Sequence, residues 1–143
     1  MKLRVLFLCT GNSSRSQMAE GLVNAFLGDR YQAYSAGTSP AGYVHPLAVQ
    51  VMQESGIDIS RQRSKSADEF HGMDLHLVVT VCDNAAHDCP VWLGKGVKVH
   101  LGFPDPAQMG GDAQEQLQAF RNVRDQMQAQ VLDYLRSWNE KEP

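Results

Sequence analysis

The chain has 143 residues, 43% of them hydrophobic and 20% charged, which suits one folded unit over residues 1–143 and excludes a disordered chain. A net charge of −3 excludes a general nucleic-acid binder, so any anion held here must be captured locally by backbone amides and a few placed cations. The apolar run Val5-Leu6-Phe7-Leu8 is too short for a signal-peptide core or a membrane span. The expectation is a cytoplasmic protein with no membrane or nucleic-acid partner, in a compartment where thiols stay reduced and where three cysteines cannot all be structural staples.

Residues 3–8 are apolar strand formers, and residues 15–27 read as an amphipathic helix with Met18, Leu22, Ala25 and Phe26 on one face. Residues 32–36 predict a second strand, followed by the turn formers Gly37, Ser39, Pro40 and Gly42. Pro46 suits the first turn of a helix whose Ala48, Val51 and Met52 share a face, with Gly56 as its C-terminal cap. Residues 75–81 are almost continuously apolar, as in a central parallel strand covered on both sides, and residues 97–101 predict a fourth strand. From Ala113 to Trp138 the chain predicts a long helix, with Leu117, Phe120, Val123, Met127, Val131, Tyr134 and Trp138 recurring every three or four residues. Alternating strands and helices imply an α/β sandwich around a mostly parallel sheet, whose ligands bind beyond the carboxyl ends of the strands. Cys9, Cys82 and the Phe103–Asp105 segment all fall just after predicted strands.

Cys9-Thr10-Gly11-Asn12-Ser13-Ser14-Arg15 joins the first strand to the first helix. Small residues there let successive N–H groups turn inward as an anion nest, and the helix adds its positive end. Arg15 supplies a planar fork for two oxygens of a tetrahedral anion. The same field favours the thiolate of Cys9, with Ser16 as a hydroxyl donor to it. Thr10 to Ser16 are therefore the expected oxyanion-binding residues. A buried apolar cysteine before an ordinary turn would leave Arg15 and the run of small polar residues unexplained.

Cys82 and Cys89 flank a run of mostly small residues directly after the central strand. A metal site of Cys82, His87 and Cys89 would have only three ligands at an unusual zinc spacing, and inert core thiols are the simpler alternative. Asp105 stands between Pro104 and Pro106, which reads equally as an aimed acid or as a surface turn. His45, His71, His76 and His100 show no convergent spacing, and no chemistry is assigned to them.

The run from Val5 through Gly21, with Cys9 to Arg15 at its centre, resembles the loop of thioredoxin-coupled arsenate reductases, which share their fold with low-molecular-weight protein tyrosine phosphatases. All three cysteines match the reductases' positions, Gln17 is more like the reductases than the phosphatases, and Ser14 stands where many relatives have another cysteine. The resemblance implies a three-layer α/β sandwich with a four-stranded parallel sheet. It also implies reduction of arsenate to arsenite by a relay in which Cys9 is the nucleophile. Cys82 then forms a disulfide with Cys9, and Cys89 moves the disulfide outward as Cys82–Cys89 for reduction by thioredoxin. Asp105 aligns with the general acid of both groups, while Ala107-Gln108 lacks the aromatic residues with which phosphatases bind aryl substrates.

Some reductases of this kind bind potassium through asparagine, glutamate, serine and an acidic residue. Asn12, Glu20 and Ser35 match the first three, but Lys65 takes the acid's place, so no metal and no other cofactor is expected. The expected partners are arsenate, with phosphate or sulfate as competitors, and thioredoxin, with the protein acting as a monomer. A phosphotyrosine phosphatase using Cys9, Arg15 and Asp105 and a non-catalytic oxyanion-binding module are the alternatives.

Overall fold

The computed structural model describes residues 2–83 and 92–138. Four strands, β1 (Leu3–Cys9), β2 (Tyr31–Gly37), β3 (Leu77–Thr80) and β4 (Val97–His100), form one parallel sheet in the order β2-β1-β3-β4. Because successive side chains of a strand point to opposite faces, β1 feeds two cores at once. Val5, Phe7 and Cys9 enter one, and Leu6 and Leu8 enter the other.

Helices α1 (Arg15–Phe26), α2 (Pro46–Glu54) and α3 (Ala113–Ser137) all contribute to the core on the Val5–Phe7–Cys9 side. The opposite face is covered by a 3-10 turn at Ala67–Phe70, together with Leu75 and Trp92. The expected three layers are therefore present, but one outer layer is slight. The chain leaves β1 toward β2 on one side and returns as β3 on the other, so the carboxyl end of β1 lies at a switch in strand order. Cys9 occupies that end, in register with Gly37.

The predicted elements agree closely with these limits, and two differ instructively. The apolar run 75–81 yields only Leu77–Thr80 as strand, because the Leu75 N–H turns back onto the Met73 carbonyl. In α1 the buried stripe is Met18, Ala19, Leu22 and Val23, whereas Ala25 and Phe26 are exposed. The helix packs against Ile59 through Gly21, where an added Cβ would lie 2.6 Å from Ile59 Cγ2. Ala25 and Phe26 lie one turn further along the same face, beyond the last residue that the helix buries, Val23. Along α3, Phe120, Val123, Met127, Val131 and Trp138 are buried as expected, while Leu117 and Tyr134 are only partly so. Among the described residues, no helix is long and apolar enough to cross a membrane.

Candidate active site

The residues after β1 turn sharply before α1 begins, and Asn12 makes that turn with φ 48, a left-handed conformation that asparagine tolerates better than most side chains. Its side chain then ties the turn together. Asn12 Nδ2 donates to Ser16 Oγ at 2.7 Å, while Asn12 Oδ1 accepts from Gln17 Nε2 at 2.9 Å and from the Lys65 N–H at 2.8 Å. Asn12, Ser16 and Gln17 are wholly buried, so these bonds are made away from competing water.

The loop carbonyls point outward. Thr10, Gly11 and Ser13 accept from the N–H groups of Ser39, Ala41 and His45, each at 2.9 Å. The carbonyls are thus committed to that outer segment, and Cys9 to Arg15 line a pocket at the N-terminus of α1, the place where the sequence predicts an anion nest.

Cys9 Sγ is buried and lies 2.9 Å from Ser16 Oγ, and the Asn12 N–H donates to it at 3.2 Å. The amide supplies a donor to the sulfur, and the hydroxyl contact can run in either direction. Arg15 reaches back with Nη1 donating to the Phe103 carbonyl at 3.2 Å and Nη2 lying 3.5 Å from Asp105 Oδ2. Asp105 in turn caps the 3-10 turn Pro106–Gln108, its Oδ1 accepting from the Ala107 N–H at 3.0 Å. The Pro-Asp-Pro segment is a turn, and it places the Asp105 carboxylate beside Arg15. Ser14 lines the same pocket, and its buried hydroxyl has no hydrogen-bond partner among the described residues.

The loop, Arg15 and Asp105 enclose a pocket of about 390 Å³ together with Tyr43, His45, Ala107 and Gln108. A second pocket of about 430 Å³ adjoins it, lined by Cys82, Asp83, Pro104 and Met109 and sharing Thr10, Arg15, Asp105 and Gln108 with the first. Cys82 is buried and disulfide-bonded, whereas Cys9 keeps a free thiol. Cys89 and His87 lie outside the described residues.

Glu20, Ser35 and Lys65 meet behind the loop. Ser35 Oγ donates to Glu20 Oε1 at 2.7 Å, and Lys65 Nζ sits 3.6 Å from the same oxygen while donating to the Arg63 carbonyl at 2.8 Å. Burial pushes the Glu20 carboxyl up from its ordinary value, against the pull of Lys65, and pushes the Lys65 ammonium down, against the pull of Glu20. A fixed ammonium on this carboxylate would repel a second cation. The donor set therefore does not fit a bound potassium ion.

Several supporting groups take contacts that the sequence did not indicate. Gln17 Nε2 also donates to the Asn12 and Arg63 carbonyls, and Gln62 Nε2 donates to Gln17 Oε1 at 2.8 Å. A glutamine on the apolar side of α1 was the available hint. His45, Tyr43 and Gln108 reach the pocket only through folding, since nothing in their spacing relates them to Cys9.

The model of the family described as low molecular weight phosphotyrosine protein phosphatase matches residues 4–143. An arsenate reductase of Halalkalibacterium halodurans is 46% identical over 130 residues, covering 91% of this chain and 93% of that protein. A solved structure of an arsenate reductase in the phosphate binding state is similar with a TM-score of 0.76 at 31% identity, covering 97% of this chain and 100% of the other. The thioredoxin-dependent arsenate reductase of Corynebacterium glutamicum is similar with a TM-score of 0.63 at 25% identity, over 96% of this chain and 64% of its own. On the family model's extent and on this identity to its relatives, the chain belongs to the low molecular weight phosphotyrosine protein phosphatase family.

Proposed function

We propose that this protein is an arsenate reductase that passes oxidation from Cys9 through Cys82 to Cys89. One observation carries the reading: the Cys9 pocket and the Cys82 pocket share the walls formed by Thr10, Arg15, Asp105 and Gln108. A phosphatase needs the first pocket alone. The relatives that bear the name arsenate reductase support the same choice, as do Ala107 and Gln108 on the wall where an aryl group would be gripped.

In this reading the Cys9 thiolate attacks arsenic while the loop amides and Arg15 hold the oxygens. Asp105 protonates the departing oxygen, which leaves as water. The Cys82 thiolate then attacks Cys9 Sγ. The electron pair of the breaking sulfur–arsenic bond stays on arsenic, so arsenite departs and a Cys9–Cys82 disulfide remains. Two electrons have reached arsenic and two thiols have become one disulfide. Cys89 attacks Cys82, freeing Cys9, and an external dithiol reduces the outward disulfide. A disulfide at Cys82 beside a free Cys9 is consistent with the end of that sequence. Thioredoxin is the proposed reductant on the likeness to the thioredoxin-dependent enzyme, and the cytoplasm, which keeps thiols reduced, is the proposed compartment.

The test is arsenate-dependent NADPH oxidation in the presence of thioredoxin and thioredoxin reductase. The unmodified protein should cycle, and Cys9→Ser should not. Cys89→Ser should release about one equivalent of arsenite and stop with a Cys9–Cys82 disulfide, because the outward exchange is missing. Sustained cycling of that variant would remove Cys89 from the relay. Turnover of an aryl phosphate that is unaffected by Cys82→Ser, without arsenate-dependent NADPH use, would establish the phosphatase reading instead.

A further inference from the structure

His45 lies far from the Cys9 loop in sequence, yet three contacts fix it beside the loop. Its backbone N–H donates to the Ser13 carbonyl at 2.9 Å, holding the outer side of the anion nest. Its side chain caps α2, with Nδ1 accepting from the Leu47 N–H at 3.1 Å. The Phe120 ring of α3 packs tilted against the imidazole at a centroid separation of 4.7 Å. The ring has little freedom left, and its outer part lines the oxyanion pocket with Cys9, Arg15 and Asp105.

An imidazole nitrogen that accepts a hydrogen bond carries no proton, so the neutral ring bears its proton on Nε2. Helix capping thus does more at this position than satisfy an amide, because it selects the tautomer. Burial favours the neutral ring, against the opposite pull of Asp105. Arg15 already supplies the cationic contact. A second full positive charge in the pocket would compete for Asp105, whereas a neutral N–H adds a donor without engaging the acid.

We propose that His45 is a further binding residue for the tetrahedral oxyanion, presenting a neutral Nε2–H donor to an oxygen that the loop amides and Arg15 leave uncovered. This assignment rests on the oxyanion reading of the Cys9 loop and deepens it. Asparagine at this position separates the two duties, because Asn Oδ1 is a good helix cap but the side chain lacks the far donor.

The experiment measures inorganic phosphate binding by titration calorimetry for the unmodified protein and for His45→Asn, and arsenate kinetics for both in the thioredoxin-coupled assay. The expected result is an approximately tenfold loss of phosphate affinity and a matching rise in the KM for arsenate, the magnitude of one hydrogen bond to a charged group, with a smaller change in kcat and an unchanged Tm. A second measurement needs no variant. Histidine nitrogen NMR should show His45 as the Nε2–H tautomer, with its Nε2 resonance moving on addition of phosphate. Unchanged phosphate affinity in His45→Asn, or an Nδ1–H tautomer in the unmodified protein, would overturn the assignment. Failure of the unmodified protein to bind phosphate at all would overturn the oxyanion reading itself, and this assignment with it.

Discussion

Lys65 and Glu20 form a buried ion pair immediately behind the Cys9–Arg15 loop, with side chains about a tenth exposed. Breaking such a pair from one side leaves an uncompensated charge, which costs more than the intact pair contributes. Lys65→Met should therefore destabilise the fold by about 3 kcal/mol, and adding Glu20→Gln should recover most of that loss. The sign with pH follows from Glu20. Its carboxyl is already raised by burial, and losing Lys65 raises it further, so the penalty appears as pH climbs above the ordinary carboxylate value of 4.5. Urea denaturation of the single and double variants at mildly acidic and mildly alkaline pH checks both points. A pH-independent loss would contradict the charge argument. In the sequence Lys65 was legible only as a mismatch to a potassium site. Its place is set by the Arg63 carbonyl and the Glu20 carboxylate, which no local spacing relates.

Among the elements, β2 and the Cys9–Arg15 loop approach more closely than any side chain permits. A Cβ on Gly37 would overlap the Thr10 carbonyl oxygen and press on Asn12, the residue that makes the left-handed turn. Gly37→Ala should displace the loop. Phosphate affinity should fall about a hundredfold in calorimetry, more than the roughly tenfold that losing one hydrogen bond to the anion would produce, while far-UV CD stays close to native. Normal affinity would show that the loop tolerates the shift.

At the other end of α2, Glu54 receives Arg121 and Arg124 from α3, with nitrogen–oxygen distances of 2.8 Å. These arginines hold its carboxyl well below the ordinary value, at about 2, first through hydrogen bonds and then through charge. A depressed carboxyl stabilises the fold above its unfolded value of 4.5 and loses that contribution as pH falls toward about 2. Glu54→Gln should lower the Tm by a few degrees at neutral pH and progressively less across that acid window. An equal deficit throughout would assign the effect to packing. The helices themselves were readable from their apolar periodicity. The α1 stripe was misread at its last turn, where Ala25 and Phe26 continue the face of Gly21 and Leu22 but stand exposed beyond Val23, because periodicity does not show where a helix leaves the core.

At the scale of the whole molecule, the parallel sheet gathers separate stretches of chain at one edge. β1 ends in Cys9, β3 ends just before Cys82, and the turn after β4 carries Asp105. In the proposed relay, binding and electron transfer use different walls of two joined pockets. Cys82→Ser should accordingly leave phosphate affinity within about twofold of the unmodified protein, since it removes no anion-binding donor, while abolishing arsenite release. Calorimetry and arsenic speciation measure the two separately, and arsenite release at the normal rate would dismiss Cys82 as the first resolving thiol.

The sequence by itself determined the alternation of strands and helices, the Cys9–Arg15 loop and the three-cysteine pattern. Each is written in local chemistry: side-chain periodicity, small residues at a sharp turn, and reactive groups placed just after strands. Only the tertiary structure decided that Arg15 meets Asp105, that Lys65 stands on Glu20, and that His45 lines the Cys9 pocket with its Nδ1 committed to α2. Those pairings arise where strand ends and loops converge at one edge of the sheet, and sequence separation carries no measure of that distance.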